Sequence, residues 1–154
     1  MSINLQNIAK NVCISMTTAA VLLFANAAIA DTPETLKGAT LVDAAQAKAA
    51  IDGGAKIVDA RVANEYAEAH IKGAINIPYK EKSAKSATYD ASQDSFDLSK
   101  LPADKNAALV IYCNGAECWK SYKASEMAIK AGYKNVHWFR LGLPAWKAAG
   151  YPAE

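Results

Sequence analysis

Four short apolar runs punctuate the chain: "KIVD" at 56–59, "INIP" at 75–78, "ALVIYC" at 108–113 and "NVHWF" at 135–139. Runs of this length, rich in β-branched and aromatic residues and flanked by Gly, Pro or Asn, predict short strands in a buried sheet. The segments between them have helical composition. "LVDAAQAKAAIDGG" (41–54) predicts a helix capped by Asp43 and ended by Gly53 and Gly54. "VANEYAEAHIKGA" (62–74) predicts a second helix, closed by Gly73. "WKSYKASEMAIKAGY" (119–133) sets Ala124, Met127, Ala128 and Ala131 at helical spacing, with Gly132 as terminator. A turn at 142–144 and a final short helix follow the last run. This alternation predicts an α/β fold with a largely parallel central sheet flanked by helices.

Two stretches fall outside the pattern. Residues 31–40 are polar, with Pro33 and Gly38, and read as a loose lead-in. Residues 80–97, "KEKSAKSATYDASQDSFD", are Ser-rich without apolar periodicity and read as a surface excursion too long for a bare connector.

The first thirty residues change the accounting. Polar residues with one charge, Lys10, lead into "VCISMTTAAVLLFANAAIA", which ends in the small-residue pattern Ala28-Ile29-Ala30 before Asp31. This reads as a removed signal peptide over 1–30, leaving one domain over 31–154, exported to the periplasm without a stable membrane anchor. With Lys10 gone, the 17 basic residues fall by one against 15 acidic ones. That near-neutral balance gives no argument for nucleic acid as a partner. Cys13 also leaves, so the domain holds two cysteines, Cys113 and Cys118. In an oxidising compartment such a pair is a candidate disulfide.

Cys113 stands where the strand 108–113 meets the next helix, the place where parallel sheets bind ligands. Loop amides and a helix N-terminus stabilise anions there, and so lower the pKa of a thiol. Cys113 is therefore a candidate nucleophile. Position alone leaves three roles for the two cysteines: one catalytic thiol, a redox pair, or a structural crosslink.

"IVDARVANEYAEAHIKGAINIPY", "LVIYCNG" and "GYKNVHWFRLGLPAWKAAGYP", in this order over nearly all of 40–152, resemble the signatures of rhodanese-like domains. The resemblance implies a single rhodanese-like domain and a sulfurtransferase, in which a cysteine takes sulfane sulfur from a small-molecule donor such as thiosulfate or a polysulfide. It holds that sulfur as a persulfide and passes it to a thiol or cyanide-like acceptor, without cofactor. Carried over, Cys113 is the persulfide-bearing residue, and the loop Asn114, Gly115, Ala116, Glu117 and Cys118 cradles the anionic sulfur. Asp59 and Arg61 match the family's Asp-x-Arg and support the loop through an ion pair or hydrogen bond. His70 matches a motif histidine whose ordinary use is in a turn.

The departures shape the alternatives. Family members often close this loop with Arg or Thr; here Cys118 occupies the sixth position and Trp119 follows. An alternative register lengthens the loop by two residues and puts Lys120 in the Arg position, where it supplies charge without Arg's fork. The Cys-x4-Cys-Trp pattern is similar to an exported subgroup with a second cysteine just before tryptophan. A second thiol within reach of a persulfide attacks it and leaves a disulfide, which gives Cys118 a resolving role. The alternatives are a thiol-disulfide redox protein, with a periplasmic redox protein as partner, a catalytically silent binding module, and an oxyanion-binding enzyme of the phosphatase or arsenate reductase kind. The last lacks its loop-closing Arg. Trp119, Trp138 and Trp146 read as packing anchors, with Trp119 also placed to line the pocket. His70, His137 and the two cysteines lack zinc-ligand spacing, so no metal is called for.

Overall fold

A computed structural model describes residues 30–154; the expected signal peptide lies outside the described residues except for Ala30. The chain runs β1 (Ala39–Leu41), α1 (Ala44–Asp52), β2 (Lys56–Asp59), α2 (Ala63–Glu68), β3 (Ile75–Asn76), β4 (Leu109–Tyr112), α3 (Trp119–Lys130), β5 (Val136–Phe139) and α4 (Gly142–Ala148). Within the sheet all pairings are parallel, in the order β1-β5-β4-β2-β3, so β4 is the central strand. Its four residues are buried on both faces: Leu109 and Ile111 join Ala124 and Ala128 of α3, while Val110 and Tyr112 join Ala47 of α1 and Trp146 of α4. That double burial is why the strand reads as a continuous apolar run.

Local chemistry sets most boundaries. Asp43 Oδ1 accepts from Gln46 N–H at 2.8 Å, and the Gln46 side chain accepts from Asp43 N–H at 2.9 Å, closing a capping box on α1. Three boundaries differ from the sequence reading. The lead-in ends in β1, which takes Leu41 from the expected helix, and its three residues become a strand by pairing with β5. Helix α2 stops at Glu68 rather than Gly73, because the C-terminal tail claims the next residues: His70 N–H donates to Glu154 O, Glu154 N–H to His70 O, and Lys72 N–H to Pro152 O. Residues 142–144 are no separate turn but the start of α4.

The excursion at 80–97 is fastened rather than loose. Lys123 of α3 is 0% exposed, donates to Ser83 Oγ at 2.9 Å, and lies 3.6 Å from Asp94 Oδ2 and 3.8 Å from Glu81 Oε1. Burial alone would raise the Asp94 carboxyl. The donors Ser83 Oγ–H, Ser83 N–H, Lys82 N–H and Tyr79 O–H outweigh it and hold Asp94 well below the usual carboxylate range. A depressed carboxylate contributes stability that is present above the unfolded value, about 4, and lost as pH falls toward the folded one. Thermal melts should therefore drop between about pH 5 and pH 2. Asp94→Asn should start lower at neutral pH and follow a flatter profile, and parallel profiles would contradict this account.

Candidate active site

Residues 113–118 leave the carboxyl edge of β4 and turn directly into α3, which opens at Trp119. The loop thus has six residues and Cys118 closes it. Cys118 N–H donates to Gly115 O at 3.0 Å. Cys113 and Cys118 are joined as a disulfide with their Cα atoms 6.2 Å apart. The pair left open by sequence is thus a crosslink in this state, and Cys113 carries no free thiolate in it. The N-cap of α3 is Cys118, so the bond places both sulfurs at the start of that helix. Cys113 is fully buried, whereas Cys118 is half-buried.

Residues from three other parts of the chain hold the loop. Cys113 O accepts from Leu143 N–H at 3.0 Å, and Gly142 (φ +58°) packs so tightly here that a Cβ would lie 2.1 Å from that oxygen. Only glycine fits both the backbone and the space. Ala116 O accepts from Thr32 N–H at 2.8 Å and Thr32 Oγ1–H at 2.7 Å. Asn114 donates to Glu65 Oε1 at 2.5 Å and accepts from Arg61 NH1 at 3.3 Å. The carbonyls of Cys113, Gly115 and Ala116 are all engaged, while the amides of 114–117 have no acceptor among the described residues.

Asp59 and Arg61 form a buried pair at the end of β2. Arg61 Nε lies 3.0 and 3.1 Å from the two Asp59 oxygens and NH2 lies 2.6 Å from Oδ2; NH2 also donates to Ala69 O at 2.7 Å. Tyr112, in register with Asp59 on β4, donates its hydroxyl to Oδ2 at 2.6 Å. Burial opposes the Arg61 charge, but Asp59 outweighs it and holds Arg61 above its ordinary value. Burial, reinforced by the Asp59 charge, raises Tyr112 and keeps it protonated. Arg61 is therefore committed to structure and reaches the loop through Asn114. His70 lies just past α2 and before the turn at 72–73, stacked on Tyr66 at 3.7 Å, with Nδ1 2.9 Å from Tyr66 O and Nε2 3.5 Å from Glu154.

An open cleft of about 680 Å³ borders the loop. Cys118, Glu117, Trp119 and Lys120 line it, with Glu81 and Lys85 from the excursion and Asp31 from the lead-in. The three indoles are anchors whose N–H groups are satisfied, by Ala30 O for Trp119, Ser121 Oγ for Trp138 and Pro152 O for Trp146. Sequence reasoning missed Thr32, Glu65, Arg140 and Gly142. The Leu-Gly-Leu-Pro setting after β5 hinted at Gly142, but no local signal marks the other three.

Residues 43–149 match the family model of the rhodanese-like domain, and the chain belongs to that family. Thiosulfate sulfurtransferase PspE of Escherichia coli is 35% identical over 79 residues, covering 51% of this chain and 62% of that protein. The HTH-type transcriptional regulator Rv0324 of Mycobacterium tuberculosis is 33% identical over 102 residues, covering 66% of this chain and 38% of that protein. The chain spans less than two thirds of the length of either relative. Among solved structures, the Alr3790 protein from Anabaena sp. is 29% identical with a TM-score of 0.54, covering 73% of this chain and 90% of that one. The thiosulfate sulfurtransferase from Pseudomonas aeruginosa, 23% identical with a TM-score of 0.54 over 75% of this chain and 20% of its own, shares the fold.

Proposed function

We propose that this rhodanese-like protein is a thiol-disulfide redox protein whose Cys113–Cys118 pair cycles between dithiol and disulfide, and which handles sulfane sulfur on Cys113 when reduced. The position of the disulfide supports this reading best: it spans the loop at the end of the central strand, ends at the N-cap position of α3, and brings Cys118 to the cleft wall. Stability alone is a weak reason for a crosslink over so short a loop. A six-residue span constrains the unfolded chain less than a 15-residue loop, which contributes about 3 kcal/mol. Lys120 points the same way. A cation in the first turn of a helix opposes the macrodipole, yet at the cleft it favours anionic sulfur.

In the oxidised form Cys118 is the reachable sulfur. A thiolate of a reducing dithiol attacks Cys118 Sγ, the S–S bond breaks, and its electron pair leaves on Cys113. The partner's second thiol then displaces Cys118, so the partner becomes a disulfide and the loop a dithiol. In the reduced form the Cys113 thiolate attacks the outer sulfur of a donor such as thiosulfate; sulfite leaves, and Cys113 carries a persulfide. Cys118 thiolate next attacks Cys113 Sγ and expels the outer sulfur as hydrosulfide. The two cysteines lose two electrons, the sulfane sulfur gains them, and the disulfide returns. The free loop amides and the start of α3 stabilise the thiolate and persulfide anions. Sulfurtransferase-named relatives favour the sulfur half of this cycle, and an exported location fits a disulfide resting state.

Intact mass of reduced protein after exposure to thiosulfate or polysulfide tests the reading. The unaltered chain should return to disulfide, release sulfide and retain no sulfur. Cys118→Ser should gain one sulfur atom that cyanide removes. Absence of that gain would overturn the sulfur half. A wild-type disulfide that no dithiol reduces would mark a silent binding module.

A further inference from the structure

We propose that the segment 31–32 is a strap that sets the reactivity of Cys113, with Thr32 and Arg140 as its positioning residues. This rests on the reading of 113–118 as an anion-cradling loop. Thr32, two residues into the expected mature chain, is 2% exposed. Both of its donors converge on one acceptor, Ala116 O, in the middle of the loop, at 2.8 and 2.7 Å. Arg140, just past β5, grips Thr32 with a fork: Nε donates to Thr32 Oγ1 at 3.0 Å and NH2 to Thr32 O at 2.7 Å. The strap therefore touches the loop at Ala116, from a residue that Arg140 holds in place.

The consequence follows from peptide geometry. A trans peptide is planar, with its C=O and N–H on opposite sides. Fixing Ala116 O against Thr32 fixes the Glu117 N–H on the side away from the strap, and that amide is one of those with no acceptor among the described residues. An amide held in place stabilises an anion without reorganising, and one free to rotate does so less well. Arg140 strengthens the lock. By donating to Thr32 Oγ1 it leaves the hydroxyl proton directed to Ala116 O and makes that proton a better donor.

The test uses the Cys118→Ser chain, so that peptide mass mapping of residues 106–120 reads one thiol. Iodoacetamide alkylation of Cys113 against pH gives its apparent pKa. Adding Thr32→Val, which keeps the shape and removes the hydroxyl, should raise that pKa by about one unit. Thr32→Ser should restore the parent value. Arg61 just past β2, Glu65 of α2, Glu81 and Lys85 of the excursion, Glu117, Lys120 and Asp31 surround the loop and are unchanged, so the shift reports the peptide lock. A merely structural strap would lower the melting temperature and leave the alkylation profile in place, and that result overturns the proposal. If Thr32→Val does not fold, Arg140→Lys carries the same prediction, because lysine keeps the charge and loses the fork. A parent pKa at the ~8.5 of a free cysteine would instead overturn the cradle reading on which the strap depends.

Discussion

Cys113→Ser removes persulfide formation and dithiol-disulfide turnover together, with an expected loss on the order of 10³-fold or more in sulfide release. No other group in the site replaces it. Cys118, the N-cap of α3, is left alone beside the cleft. Its thiolate can still attack a partner disulfide and release one partner thiolate, but with no second thiol in the loop to displace the bound partner the mixed disulfide persists. The same substitution opens the six-residue crosslink, which should lower stability by roughly 2 kcal/mol. Activity and stability thus separate, since a loss of that size leaves a folded protein at room temperature. Rates of sulfide release from polysulfide, measured beside thermal melts, check both halves. Residual turnover within tenfold of wild type would place the chemistry elsewhere.

Asp59→Ala should have the largest effect on folding. The carboxylate is 0% exposed and receives Arg61 Nε and NH2, Arg61 N–H and the Tyr112 hydroxyl. Removing it strands a guanidinium that is 4% exposed, and breaking one side of a buried pair costs about 3–5 kcal/mol. For a domain of this size the melting temperature should fall by about 10 °C or more. The effect should also reach the chemistry. Arg61 NH1 holds Asn114, the first residue after the nucleophile, so a loosened Arg61 disturbs the loop. Chemical denaturation with and without the substitution gives the stability change, and a difference under about 1 kcal/mol would show that the pair is not an energetic centre.

The α/β alternation was legible because β2, β4 and β5 are buried on both faces and need continuous apolar residues, and Asp43 and Cys113 were legible because caps and strand ends have local signatures. Strand β1 was not: "ATL" has no run of its own and is a strand because β5 lies beside it. The end of α2 was hidden for the same kind of reason, since residues 152–154 bind 70–72 from across the chain. Lys123 looks like a solvated helix residue until Ser83 and Asp94 fold over it. Its neutralisation depends on contacts about thirty and forty residues away, which no window of sequence contains. Thr32 and Arg140 lie 108 positions apart and meet only over the loop. The five-position spacing of the cysteines admitted a bond without choosing it; the choice needed a loop that turns straight into α3.

The most direct test is a redox titration of the Cys113–Cys118 pair in glutathione or dithiothreitol buffers, read as the alkylated fraction by mass. A reversible loop should show a midpoint within the range of thiol-disulfide oxidoreductases, about −120 to −270 mV. A midpoint below about −300 mV is that of a structural disulfide and would contradict the account.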